Sequence, residues 1–501
     1  MKRMITRLMA VLRFCHGHFR LGQLALFCCC FSFLFFSSGC SNRTTTDAIR
    51  TGIATGSLET LEQDLEETHG AYDEFVTALN LARVYQINGR WADSIKAFED
   101  ALLLLEDYEN RAIINVRDLL AKTGTVLFSR GSEEYYGVGY ERSLLHTFNA
   151  LNYLMLGDFS GAAVEMRRMD KRQELWLEES QARIEKHLEK AEQRNTSGEF
   201  PPGYSMRNIL ESQEVRDLIN SYQDPFSYSL GSILYRLAQD PQAAEVSMRR
   251  AIALNDNANI LFSSVWPGNL SDTPQKEDAL PPPEIPPLPQ FPANEEQTDQ
   301  STPRRQELTV IAFSGLAPAL QVENVRVWLP PIGYILVDLP SYVTPVAGST
   351  PSVSVDDGLT PIDVYPLLRT DLLAYRTLRD EAHMETISAV SRALTRAGVS
   401  ATTYALARSH RDTQDFAPLI AAVTTVIMDF FASSLAESAR NWETLPQTGY
   451  LAMTAVPYGS TATIIAGNNT FSIDLPPDVR GVIIMATELS NSNLKVDYVT
   501  Y

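Results

Sequence analysis

After residue 40 this chain has no cysteine. All five, Cys15, Cys28, Cys29, Cys30 and Cys40, lie in the first forty of its 501 residues. A chain cut ahead of Cys40 would keep a single thiol, which excludes a disulfide framework and cysteine-based metal sites from the body of the protein. Histidine is almost as scarce. His69, His146, His187, His383 and His410 are scattered, with no His-Glu-x-x-His and no carboxylate at ligand spacing, so no metal site is expected. No Walker loop or Gly-x-Ser-x-Gly elbow is present, and no cofactor is expected. Basic residues are too few for nucleic acid: net charge is −19, and removing the five positive charges before Cys40 takes it to −24.

Long apolar runs are also missing. The run Leu24–Phe36 is 13 residues, and Phe416–Ala432 is 17 and holds Pro418 and Asp429. A span needs about 20, so the second run reads as a buried core helix. The first follows Lys2, Arg3, Arg7, Arg13 and Arg20 and leads into Ser37-Ser38-Gly39-Cys40. Basic start, short apolar centre and small residues make a secretory signal over 1–39.

The Ser-Ser-Gly-Cys string resembles the lipobox of bacterial lipoproteins, with Ser37 standing where leucine is usual. The resemblance implies that the Cys40 thiol takes a diacylglyceryl group and that the new amino terminus is acylated with a palmitate-type chain. Several acyl chains hold stably where one does not. Ser41 after the cysteine implies the outer membrane, facing the periplasm.

The remainder divides at Trp266–Gln306, which holds ten prolines, including Pro281-Pro282-Pro283. Such a stretch favours polyproline II and is read as a linker, 266–306. It would let two bodies reach separate partners.

Before it, residues 40–265 read as almost wholly helical. Ala82, Tyr85, Gly89, Trp91, Phe98 and Ala101 fall at tetratricopeptide-like spacings. Ala150, Tyr153, Gly157, Phe159, Ala162 and Met166 form a second copy. A looser third, Gly231, Leu234, Ala244, Met248 and Ala251, needs one inserted residue. Small residues let two helices approach, and a glycine permits the turn between them.

After the linker, residues 307–501 read as mixed α/β. Short β-type runs occupy 308–313, 325–329 and 332–337. Helical spacing covers Tyr365–Arg396 and 415–440, and a small antiparallel sheet follows Trp442. The expected fold class is therefore α+β and multidomain, with a helical repeat array followed by a mixed domain. Gly137-Val138-Gly139-Tyr140-Glu141-Arg142 lacks the third glycine of a dinucleotide fingerprint and reads as the lead-in to a helix.

Four strings, Gly139-Tyr140-Glu141-Arg142, Ala150-Leu151-Asn152-Tyr153, Ala163-Val164-Glu165-Met166-Arg167-Arg168 and Ala439-Arg440-Asn441-Trp442-Glu443-Thr444-Leu445-Pro446, together resemble a group of uncharacterised bacterial lipoproteins with helical repeats. The resemblance implies an envelope scaffold or adaptor that binds proteins through its repeat groove. By analogy with lipoprotein activators of peptidoglycan synthases, it extends to cell-wall synthesis. Tyr140, Glu141, Arg142, Glu165, Arg167 and Trp442 are the expected partner contacts. The alternatives are an envelope hydrolase and a carbohydrate-binding or secretion-associated module.

Overall fold

The computed structural model describes residues 41–68, 74–114, 135–194, 203–265, 305–329, 333–356, 360–380, 441–490 and 493–501. Residues 1–39, read above as a signal sequence, Cys40, residues 266–304 of the proline-rich segment and the apolar run 416–432 lie outside them. Residues 48–501 form one compact unit, to which the following applies.

Helices come first and sheets follow, a mixed α+β chain. The helices are α1 (Ser41–Thr55), α2 (Leu58–Thr68), α3 (Glu74–Ile87), α4 (Trp91–Ile114), α5 (Gly139–Met155), α6 (Phe159–Arg194), α7 (Arg207–Leu210), α8 (Gln213–Asp217), α9 (Pro225–Leu237), α10 (Pro241–Leu254) and α11 (Asp256–Val265). α3 packs on α4, α5 on α6 and α9 on α10.

One turn geometry joins each of these pairs. Arg90, Asp158 and Asp240 donate their backbone N–H to the carbonyls of Tyr85, Tyr153 and Tyr235 at 2.8–2.9 Å. Gly89, Gly157 and Gln239 stand one residue earlier at φ +72°, +75° and +60°. This is a Schellman close, which satisfies the last carbonyls of the first helix. Asp158 and Asp240 then cap the second helix through Gly161 N–H (2.8 Å) and Ala243 N–H (3.2 Å). The third pair therefore runs Ser232, Tyr235, Gln239, Ala244, Met248, Ala251, in register with the first and with no insertion. Reading it from Gly231 and Leu234 misplaces it by one, because Gln239 occupies the left-handed position where the other turns have glycine.

The strands are β1 (Arg305–Ser314), β2 (Leu320–Leu329), β3 (Gly333–Tyr342), β4 (Ser352–Val355), β5 (Thr360–Ile362), β6 (Tyr365–Arg369), β7 (Thr448–Pro457), β8 (Thr461–Ala466), β9 (Asn469–Asp474), β10 (Gly481–Ser490) and β11 (Asn493–Thr500), with helix α12 over 370–380. They form a five-stranded sheet, β11-β10-β1-β7-β6, a four-stranded sheet, β5-β4-β8-β9, and the hairpin β2-β3. β1 lies in the middle of the larger sheet, parallel to β10 (Ile311 opposite Met485) and antiparallel to β7 (Ile311 opposite Leu451). The larger sheet is thus mixed, and of the strands from residue 448 onward, β7 and β10 pair with β1, β11 with β10, and β8 with β4 and β9. Tyr365–Arg369 is an edge strand, and helix begins only at residue 370. Pro366 fits that edge, where its missing N–H costs no ladder bond.

β1 is buried along almost its whole length, and its alternation splits the core in two. Leu308, Val310 and Ala312 meet Val353, Val355, Ala462 and Ile464 of the smaller sheet. Ile311 and Phe313 belong to the cluster that holds Phe75, Phe98, Phe148 and Phe226 of the helices. The order of layers is helices, larger sheet, smaller sheet. One hydrophobic cluster thus draws from the helical and the sheet residues alike. A third cluster seats Tyr204, Met206, Leu210 and Val215 on β2, β3 and α12 through Val325, Val337, Leu339, Tyr375 and Leu378.

Candidate functional site

Of the six residues chosen from sequence, Tyr140, Glu141, Glu165 and Trp442 are buried, and Arg142 nearly so. The bonds they make in this structure are internal ones. Glu141 sits in the first turn of α5. It accepts from Val138 N–H (3.2 Å), from the Tyr135 hydroxyl and from the backbone N–H of Trp442 (2.8 Å). Burial pushes its carboxyl above the ordinary value, against the pull of those hydrogen bonds. Trp442 is wedged edge-on between Phe98 (5.8 Å) and Phe148 (5.7 Å), and its indole N–H donates to Thr444 (2.9 Å). Thr444 in turn donates from its backbone and hydroxyl to Asn80 of α3. Arg142 donates to the carbonyls of Tyr136 and Gly137. Only Arg167 is half-exposed, paired with Asp240 at 2.8 Å. The Gly-Val-Gly string is a helix start. A Cβ on Gly139 would come within 2.2 Å of the Trp176 indole nitrogen, so close helix packing requires glycine there.

Beside this junction is a fully buried arginine. Arg83 of α3 donates to Gln86 and lies over the Phe148 ring at 4.4 Å and the Phe313 ring at 5.6 Å. Its Nε has no hydrogen-bond partner among the described residues, and burial lowers its pKa to about 9. Gln86 continues the chain to the Phe148 carbonyl (2.7 Å) and to Asn152 (2.6 Å). These polar groups orient α3 against α5 and offer no opening.

The opening lies on the other side of α5. A cleft of about 550 Å³ runs between α4 and α6, within the range typical of ligand sites. Glu99, Leu102, Leu103, Glu106 and Glu109 line it from α4. They recur at helical spacing, so one face of α4 supplies the wall. Arg168, Lys171, Arg172 and Leu175 line it from α6 in the same way. His146 of α5 is the remaining lining residue.

His146 is buried, and its Nδ1 lies 2.8 Å from the Glu165 carboxylate, which also accepts from Arg168 at 2.6 Å. Burial lowers the imidazole pKa below its ordinary value, outweighing the carboxylate's pull. The ring is therefore neutral at pH 7, with the proton on Nδ1 held by Glu165. Nε2 is then a hydrogen-bond acceptor, and among the described residues nothing occupies it. The sequence reading treated His146 as solitary. The hairpin of α5 and α6 brings Glu165 to it, and a charged residue on the inner face of each helix was the available signal.

A second cleft, of about 480 Å³, opens between the two sheets near Asp356, Asp363 and Tyr365. Its Glu307 is occupied by Arg236 (2.6 Å) and by the Tyr501 hydroxyl (2.8 Å). Among the described residues no group of three His, Cys, Asp or Glu side chains is placed to hold a metal, and no helix is long and apolar enough to cross a membrane. Comparison with protein-family models, with curated proteins and with solved structures finds no match.

Proposed function

We propose that this chain is a lipid-anchored adaptor of a bacterial cell envelope. Acylated Cys40 holds it at the outer membrane, facing the periplasm. Its helical hairpins act as a tetratricopeptide-like array that binds protein partners. The observation that carries the reading is the recurrence of one turn at Gly89, Gly157 and Gln239, each preceded by a tyrosine whose carbonyl closes the first helix. Hairpins built to one plan stack and leave helix faces side by side, the arrangement repeat proteins use for recognition. The cleft between α4 and α6 is such a pair of faces, with exposed Leu103 and Leu175 among its charges.

The resemblance to repeat-bearing lipoproteins extends the proposal to a partner in peptidoglycan synthesis. Two measurements test it. Mass spectrometry of the native amino-terminal peptide is expected to find Cys40 first and carrying acyl mass, and Cys40→Ala is expected to leave the membrane fraction. A photo-crosslinking side chain at position 103 or 175 is expected to capture a discrete envelope protein in cells. An unacylated terminus, or no capture from any position on the helices, overturns the adaptor.

A further inference from the structure

The adaptor reading leaves the partner's chemistry open, and the cleft between α4 and α6 narrows it. Several of its charges are already used. Arg172 and Arg142 pair with Glu109, and Arg168 pairs with Glu165. Among the described residues Glu99, Glu106 and Lys171 have no hydrogen bond or ion pair. The groups with no charge partner are therefore two carboxylates and one ammonium, and the Nε2 of His146 adds a third acceptor. His146 is the telling member: its side chain is 4% exposed, its Nδ1 is fixed by Glu165, and it still lines the cleft. Its Nε2 reaches the cleft as an acceptor that an incoming donor can meet.

The apolar part of the cleft fits the same ligand. Leu102 is buried, while Leu103 and Leu175 are 64% and 42% exposed. They offer a short greasy track beside the acceptors. Lysine and arginine side chains have that shape, an aliphatic stem ending in a donor-only cation. An acidic ligand would find Lys171 and the exposed side of Arg168, whose charge Glu165 already balances, and would face Glu99 and Glu106. The net charge of −19 favours the encounter with a basic surface at longer range.

We infer that the cleft between α4 and α6 receives a lysine or arginine side chain of a partner protein, its stem on Leu102, Leu103 and Leu175 and its cation shared by Glu99, Glu106 and His146 Nε2. This rests on the adaptor reading and specifies its recognition chemistry.

The test uses the chain from residue 40 onward and four fluorescein-labelled alanine-based peptides that differ at two central positions: lysine, arginine, norleucine or glutamate. At low salt the lysine and arginine peptides are expected to bind at least tenfold more tightly than the norleucine peptide, and the glutamate peptide not at all. The double variant Glu99→Gln, Glu106→Gln is expected to remove that preference. His146→Gln, which presents a mixed donor–acceptor amide, is expected to weaken it severalfold. Glu59→Gln with Glu67→Gln removes the same charge from α2, away from the cleft, and is expected to change nothing. Circular dichroism and urea midpoints check that each variant folds. Equal binding of all four peptides, or equal losses from the cleft and α2 pairs, overturns the inference. In cells, a partner captured from position 103 whose yield is unchanged by the Glu99, Glu106 double variant overturns it while leaving the adaptor standing. Absence of any captured partner overturns the adaptor instead.

Discussion

The backbone N–H of Trp442 donates to the Glu141 carboxylate at 2.8 Å, across 301 positions of chain. One oxygen of Glu141 serves this loop; the other serves its own helix start at Val138 and the Tyr135 hydroxyl. The same side chain thus begins α5 and fixes the segment that leads into β7. The helical residues and the sheet residues are held by a bond that neither could satisfy alone.

Replacing Glu141 by alanine removes the acceptor of two backbone N–H groups, those of Val138 and Trp442, and of the Tyr135 hydroxyl. Relief of the buried carboxylate offsets part of that loss. The expected result is a destabilisation of about 2–4 kcal/mol, read as a lower urea midpoint with an unchanged slope. A change within about 0.5 kcal/mol would show that the junction does not depend on this bond.

Because Phe98, Phe148, Phe313 and Trp442 belong to one cluster, cutting the chain between the halves is expected not to part them. A protease site placed at 281–289 is expected to give two fragments that co-elute in size-exclusion chromatography. Trp442→Ala opens a hole worth about 3–5 kcal/mol where they meet, and is expected to let them separate at lower urea. Fragments that separate in plain buffer would contradict the shared core.

Asp224 gives a pH signature. It caps α9 through Ser227 N–H at 2.6 Å, and burial raises its carboxyl to about 6 despite that bond. The unfolded chain titrates near the usual value of about 3.9. Between those two values the folded state holds more protons, so stability falls as pH rises through the window. The part due to Asp224 is full below about pH 4 and gone above about pH 6, and is on the order of 2–3 kcal/mol. Asp224→Asn keeps an accepting oxygen at the cap. Subtracting its urea stability profile from that of the parent is expected to leave this downward step. Parallel profiles between pH 4 and 7 would refute it.

Much of the helical half was legible because its turns advertise themselves. Tyr85-to-Gly89 and Tyr153-to-Gly157 share spacing and type, and both close in the same way. The third turn was harder to place because Gln239 supports a left-handed backbone that glycine usually marks. The late strands were readable from their alternation. The pairing of β1 with β10 was not, since a parallel partner 170-odd positions away leaves no local trace. Residues 365–369 were read as helix because Leu367, Leu368, Leu372 and Leu373 give a helical rhythm that runs through the strand end.

The site was legible only in fragments. Glu141, Glu165 and Trp442 were singled out, and all three are structurally central, but as internal bonds. A partner-facing residue and a buried polar anchor look alike in one sequence: both put a charge or a large ring in an otherwise apolar helix. Contacts between elements distinguish them, such as the meeting of His146 with Glu165, which depends on the packing of α5 on α6.

The place of β1 sets a timetable. Both of its neighbours, β7 and β10, come from the closing stretch of the polypeptide. Until those residues are synthesised, Ile311 and Phe313 have no sheet around them. The larger sheet therefore closes late in synthesis, around a central strand made well before either of its neighbours.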